Sequence, residues 1–224
     1  MSQKINIVWL KRDIRSQDHR PLEAAESAGI RYLIIYIFEP SLINYPDTST
    51  RHLQFIHQSI KDLNATLKPY KGAVTVFHSE AREAFEFLLQ KYAVQNVFSY
   101  EEHGIRQSWN RDRVIREQLA TSKVEWTEFK KNGVIRGSKN RDGWDKQWYV
   151  TMNEPLIKNQ YTDMLLEDIE HPYPMQPELE QRIEEYPTEF QPAGETFAWK
   201  YLNSFTDDRG KNYHLFISKP ELSR

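Results

Sequence analysis

The stretch INIVWLKRDIRSQDHRPLEAAESAGIRYLIIYIF, residues 5–38, contains the unit from which the rest of the fold is read. Residues 5–10 form a short apolar run of the kind that suits a strand buried on both faces. A polar segment, residues 11–20, follows it. Pro21 then stands where a helix can begin, residues 22–28 continue it, and Gly29 is a natural C-terminal cap. Residues 32–38 (YLIIYIF) give the strongest strand signal in the chain, β-branched or aromatic at every position but one.

The same alternation continues outward. Leu53, Ile56, Ile60, Leu63 and Leu67 recur at spacings of three and four, which predicts an amphipathic helix ending before Pro69. Residues 73–77 read as a third strand. A helix opens near Ser79 and buries Ala84, Phe85, Leu88 and Leu89. Residues 96–100 read as a fourth strand, residues 109–119 as a helix and residues 124–129 as a fifth strand. The expected fold is α/β: a doubly wound, mainly parallel five-stranded sheet with helices on both faces, Rossmann-like in plan. Ligands on such a sheet bind beyond the carboxyl ends of the strands, where strand order reverses. That places Arg12, Asp13, residues 38–40, His78 and residues 101–104 at candidate positions.

Past residue 150 the composition changes. Residues 170–192 hold five of the eleven prolines together with Glu178, Glu180, Glu184 and Glu185, and read as an extended linker with no helix. A short helix is expected over residues 194–205. The chain thus divides into an α/β domain (1–150), a linker (151–192) and the start of a further, helical unit (193–224).

Composition removes several function classes. With 224 residues, 39% hydrophobic and 13% aromatic, the chain can bury a real core. Its net charge of −2 does not mark the whole chain as a nucleic-acid binder. It has no cysteine, so disulfides, thiolate metal sites and a cysteine nucleophile are out. No opening segment reads as a signal peptide, and no apolar run approaches the roughly 18–20 residues of a membrane span. A soluble, cytoplasmic protein is expected. The dinucleotide fingerprint G-x-G-x-x-G, the P-loop and the G-x-S-x-G elbow are absent. His52 and His57 stand five apart, on different faces of a helix, and the seven histidines form no metal pattern. No catalytic residue and no metal ligand is assigned.

Residues 5–25 (INIVWLKRDIRSQDHRPLEAA) resemble the first strand and loop of the DNA photolyase/cryptochrome family, with Trp9, Lys11, Arg12, Asp13, Arg15, Asp18, Pro21 and Leu22 in register and His19 in place of the usual asparagine. IFEPS (37–41) resembles the family's F-D-P, with Glu39 for aspartate. Residues 49–67 resemble its R-x-x-F-L-x-x-S-L helix through Arg51, Phe55, Ser59 and Leu63. Residues 99–115 are similar through the Arg111–Asp112 pair, residues 133–152 match a bacterial branch, and AGETFAWKYLNSF (193–205) resembles the helix leading into the flavin domain. The resemblance implies an N-terminal domain that holds or borders a light-harvesting pigment. FAD, the electron relay and damaged DNA would belong to a following helical domain of the full-length protein, a deoxyribodipyrimidine photo-lyase.

That resemblance nominates a pigment crevice made of Arg12, Phe38, Glu39, Arg51, Phe55, Glu101, Glu102 and Gln107. An arginine can hydrogen-bond or stack on a planar heterocycle and a phenylalanine can pack its face. The competing reading pairs Arg51 with Glu39 and puts Phe55 in the core. For Arg12, Asp13 and Arg15 the competing reading is a local ion-pair network. Folate-binding relatives carry Asn–Glu where this chain has Gln107 and Ser108, so a flavin or deazaflavin is the expected pigment rather than a folate. A cryptochrome-type blue-light photoreceptor and a free-standing nucleotide-binding α/β domain stand as alternatives. Arg136, Lys139, Asn140, Arg141, Trp144 and Trp148 form a basic, aromatic stretch, read either as a nucleic-acid contact or as a face packed on the flavin domain. Exposed apolar surface is expected around Trp144, Trp148 and Trp199.

Overall fold

A computed structural model describes residues 2–166, 168–187, 189–216 and 218–219. Five strands, β1 (Lys4–Leu10), β2 (Tyr32–Ile37), β3 (Val74–Phe77), β4 (Ala93–Tyr100) and β5 (Glu125–Phe129), form one sheet in the order β3-β2-β1-β4-β5. Every pairing is parallel. The chain winds outward from β1 to β3, then returns to place β4 on the other side of β1. The order therefore reverses between β1 and β4, at the middle of the sheet.

The helices of this part are α1 (Arg20–Ser27), α2 (Pro40–Ile43), α3 (Thr50–Leu67), α4 (Ala81–Lys91) and α5 (Arg106–Thr121). Side-chain alternation along the central strands divides the core in two. Val8, Leu10, Ile34 and Tyr36 face Leu22 of α1 and Leu53, Ile60 and Leu63 of α3. Ile5, Ile7, Trp9, Leu33 and Ile35 face Phe85 and Leu88 of α4 and Ile115 and Leu119 of α5. Both faces are covered, as the apolar runs of β1, broken only by the buried Asn6, and β2 required.

His19 caps α1. Its Nδ1 accepts the Leu22 N–H at 3.3 Å while Nε2 sits 2.7 Å from Asp13 Oδ2, both side chains fully buried. The imidazole thus does at the helix N-terminus what the amide oxygen of an asparagine cap does. The Asp13 carboxyl is held below its ordinary value: burial pushes it up, and the hydrogen bond and charge of His19 more than reverse that. Of the expected local network, Arg15 donates to the Asp18 carbonyl at 2.5 Å and lies 3.6 Å from its carboxylate, whereas Arg12 goes to Glu102.

The later chain contains more helix than its composition indicates: α6 (Trp144–Met152), α7 (Pro177–Glu184), α8 (Glu195–Asp207) and α9 (Tyr213–Phe216). Residues 170–192 are not extended throughout. Pro177 occupies the first turn of α7, where its missing N–H costs nothing, and Leu179 and Ile183, four apart, bury against the α3 side of the core. The segment before α7 is docked as well. Because β3 begins only opposite Ile34, the backbone of Tyr32 is free at the sheet margin; it donates to the Met164 carbonyl and accepts from the Leu166 N–H, both at 2.9 Å. Leu165 then lies so close to Gly72 that a Cβ there would stand 2.0 Å from its Cδ2. Residues 217 and 220–224, the end of the expected further unit, lie outside the described residues.

Candidate functional site

Beyond the carboxyl ends of β1, β2 and β4 the described residues enclose a crevice of about 500 Å³. One wall is apolar, from Leu10, Ile14, Phe38, Leu42, Leu53 and Ile56, with the 42%-exposed Phe55 at its rim. Phe38 is fixed by an edge-to-face contact with Tyr36 at 4.9 Å between centroids. The loop after β2 and the first turns of α3 bring these residues together.

The opposite wall is charged. Arg111 Nη1 lies 2.6 Å from Glu39, and Nη2 lies 2.8 Å from Asp112 and 3.7 Å from Glu102. Arg12 reaches the other oxygen of Glu102 at 3.0 Å. Beneath them Lys11 meets Asp112 at 3.0 Å and Glu128 at 3.6 Å, and both cations lie over the Trp9 ring. The result is a row of alternating signs, Glu39–Arg111–Glu102–Arg12. Gly104 permits its tight end, since a Cβ there would fall 2.5 Å from Arg12 Nη2 and 2.6 Å from Glu102 Oε1.

Burial pushes the Glu39 carboxyl up, offset only in part by Arg111. Burial alone would lower Arg111, but the Glu39 and Asp112 carboxylates outweigh it and hold the guanidinium firmly charged. Burial lowers Lys11 against the pull of Asp112, and raises the Tyr36 hydroxyl with help from Glu39. Glu102 Oε1 and Arg111 Nη2, one acceptor and one donor in the charged wall, are buried in ion pairs with Arg12 and Asp112 but make no aligned hydrogen bond. The serine and threonine hydroxyls lining the crevice are already committed: Thr48 donates to the Leu42 carbonyl, Ser59 to the Phe55 carbonyl and Ser108 to the Ile105 carbonyl. Among the described residues no group of three or more potential ligands is arranged to hold a metal ion.

Five of the nominated residues, Arg12, Phe38, Glu39, Phe55 and Glu102, line this crevice. Three do not. Arg51 turns away and lies over the Phe190 ring at 4.0 Å, so it is not paired with Glu39. Gln107 donates to the Ser41 carbonyl and ties α5 to α2 beside the crevice. Glu101 faces Arg136 and His103. Phe55 is not a core residue. Arg111, the centre of the charged wall, was absent from the nominated set. Its signal was present: Ser108, Asp112, Ile115 and Leu119 form the buried face of α5, and a charged pair on such a face needs partners.

A doubly wound parallel sheet with a crevice at its switch point defines the class, a Rossmann-like α/β domain. The family model described as DNA photolyase matches residues 6–150, and the chain belongs to that family. Among curated relatives, Cryptochrome DASH of Gloeobacter violaceus is 26% identical over 102 residues, 43% of this chain and 20% of that protein. Deoxyribodipyrimidine photo-lyase of Salmonella typhimurium is 33% identical over 93 residues, 41% of this chain and 19% of that protein. The crystal structure of a cryptochrome from Synechocystis sp. PCC6803 superposes with a TM-score of 0.76 at 16% identity, over 96% of this chain and 49% of that one. An archaeal photolyase from Sulfolobus tokodaii, solved with two FAD molecules, gives 0.67 at 20% identity, over 88% and 45%. The chain spans about half the length of these solved relatives.

Proposed function

We propose that this chain is the light-harvesting domain of a longer photolyase, with the crevice holding a flavin or deazaflavin pigment. The observation that carries the reading is the pairing of an apolar wall with two buried polar atoms, Glu102 Oε1 and Arg111 Nη2, which are held in ion pairs and make no aligned hydrogen bond. A tricyclic isoalloxazine-type ring matches both. Its faces pack on Phe38 and Phe55, and its imide edge offers an N–H to Glu102 and a carbonyl to Arg111. The crevice volume is in the range of small-molecule sites. The Sulfolobus relative with two FAD molecules supports a second flavin in this family. Bound there, the pigment would absorb light and pass its excitation on; the chain's own residues orient it and exclude water from one face.

In the full-length protein the following helical domain would hold the catalytic FAD and dock the damaged DNA. The reaction is light-driven splitting of pyrimidine dimers, carried out in the cytoplasm. Relatives bearing the cryptochrome name favour a second reading, a blue-light photoreceptor. Repair of a dimer-containing oligonucleotide by the full-length protein separates the two. The pigment reading is tested on this chain by absorption and fluorescence titration with FMN, a deazaflavin and methenyltetrahydrofolate. Saturable binding of the first or second, weakened at least several-fold in Phe55→Ala and weakened also in Glu102→Gln, is expected. Preference for the folate, or no binding of any of the three, refutes it.

A further inference from the structure

Residues 171–177, HPYPMQP, carry prolines at 172, 174 and 177. A proline has no N–H, so this stretch can offer backbone donors only at His171, Tyr173, Met175 and Gln176. Two of these donors go to histidines. The Tyr173 N–H donates to His171 Nδ1 and the Gln176 N–H to His78 Nδ1, both at 3.2 Å. His78 stands just past the carboxyl end of β3 and holds the stretch a second time, its own N–H donating to the Tyr173 carbonyl at 2.9 Å. Beside it the His171 ring stacks on Phe77, 4.2 Å between centroids and 25° between planes. Lys91 of α4 fastens the upstream end through the Glu170 carbonyl at 2.8 Å.

An imidazole nitrogen that accepts a hydrogen bond carries no proton, so in this arrangement both rings are neutral with the proton on Nε2. A proton taken up at Nδ1 turns each acceptor into a donor facing a donor. Stacking on Phe77 tolerates the added charge, but the backbone N–H of Tyr173 does not. From this geometry we propose that residues 169–176 form an acid-released clasp, closed while His78 and His171 are neutral acceptors and opened when both take up a proton.

Burial lowers His171, with Asp168 on the same stretch pulling it up and Lys91 pulling it further down. Burial lowers His78 too, and the nearest carboxylate along the chain, Glu80, is turned to Ser41 at 2.8 Å. Groups that titrate lower in the closed form than in the open one hold the clasp shut above about pH 6.5 and release it as pH falls below that value. Release is confined to this stretch. Upstream, Tyr32 holds Met164 and Leu166 through backbone hydrogen bonds that pH does not touch. Downstream, His57 of α3 lies 2.8 Å from Glu184 of α7, a contact that a proton on the imidazole strengthens. What opens is the cover of Phe77, fully buried on an outermost strand of the sheet.

The test is hydrogen exchange of the full chain at about pH 7.5 and about pH 5.5, read by mass spectrometry with labelling times matched for the intrinsic rate. At about pH 5.5, one unit below the ordinary histidine value, each imidazole favours the open form by at most about ten-fold and the two together by at most about a hundred-fold. Half-buried rings reach part of that, so opening of residues 169–176 should rise about five- to thirty-fold while residues 177–184 stay unchanged. His78→Asn keeps an acceptor near the Nδ1 position with no proton to gain, and His171→Phe keeps the stack without titrating; the double variant loses the pH response. Urea midpoints at about pH 7.5 verify that the variants are folded. Proton NMR of the parent reads the two imidazoles directly, so the proposal does not hang on the variants. A parent response below about two-fold, an equal response in the double variant, or both imidazoles titrating at or above about 6.5 overturns it.

Discussion

Arg111→Met removes the cation at the centre of the charged wall, and with it the guanidinium over Trp9, while keeping an unbranched apolar stem. The guanidinium lies within 4 Å of Glu39, Asp112 and Glu102, at 2.6, 2.8 and 3.7 Å. Two of these carboxylates keep a second cation: Asp112 has Lys11 and Glu102 has Arg12. Glu39, 3% exposed, keeps only a 3.4 Å hydrogen bond from the Ala81 N–H. Removing one partner of a buried pair costs about 3–5 kcal/mol. The open crevice admits water, so the lower end, about 3 kcal/mol, is expected at pH near 8. Glu39 is raised by burial even with Arg111 in place, and rises further without it. A raised carboxyl is a liability at every pH above its folded value, and the liability disappears as pH falls through that value toward the ordinary one, about 4.3. The cost of Arg111→Met therefore shrinks on acidification, by about 1.4 kcal/mol for each unit of displacement. Urea midpoints at pH near 8 and near 5.5, followed by circular dichroism, measure it, and Glu39→Gln in the same chain should return most of the loss. A cost below about 0.5 kcal/mol at both pH values, or a Glu39→Gln cost that adds to the first, refutes the reasoning.

Gly72→Ala forces Leu165, 2% exposed, out of its place, at a cost of about 2–3 kcal/mol. In a Leu165→Ala background the same change should cost under about 1 kcal/mol, because the steric partner is gone; an equal cost in both backgrounds excludes the clash as its cause. Asp13, lowered in the fold, contributes stability that is full above about pH 4 and lost as pH falls through its folded value. Asp13→Asn should cost about 1–3 kcal/mol at neutral pH and flatten the acid limb of a pH–stability curve; an unchanged limb counts against the His19 pairing. Phe55→Ala, at an exposed rim, should leave the urea midpoint within about 0.5 kcal/mol of the parent while weakening pigment binding at least several-fold. A large stability loss would make Phe55 a core residue after all.

Strand and helix succession was legible because it rests on local periodicity and punctuation: apolar runs at 5–10 and 32–38, three-and-four spacing through α3, and Pro21 and Gly29 bounding α1. Five strands linked by helices also dictate parallel pairing with both faces covered, so sheet type followed from order alone. Helix α7 escaped because prolines and glutamates dominate residues 170–192, and only its contact with the α3 side of the core shows that Leu179 and Ile183 have something to bury against. The crevice was legible in part. Arg12, Phe38, Glu39 and Glu102 follow strand ends, where the fold puts ligands regardless of detail. Which charge meets which is a different kind of fact. Glu39 is 72 residues from Arg111, and nothing local distinguishes that partner from Arg51, which the fold turns toward Phe190. Periodicity is carried by neighbours along the chain, so the sheet and its helices could be read from residue order. Charge pairing is decided by distances across it, so only the tertiary structure could seat Arg111 between Glu39 and Glu102.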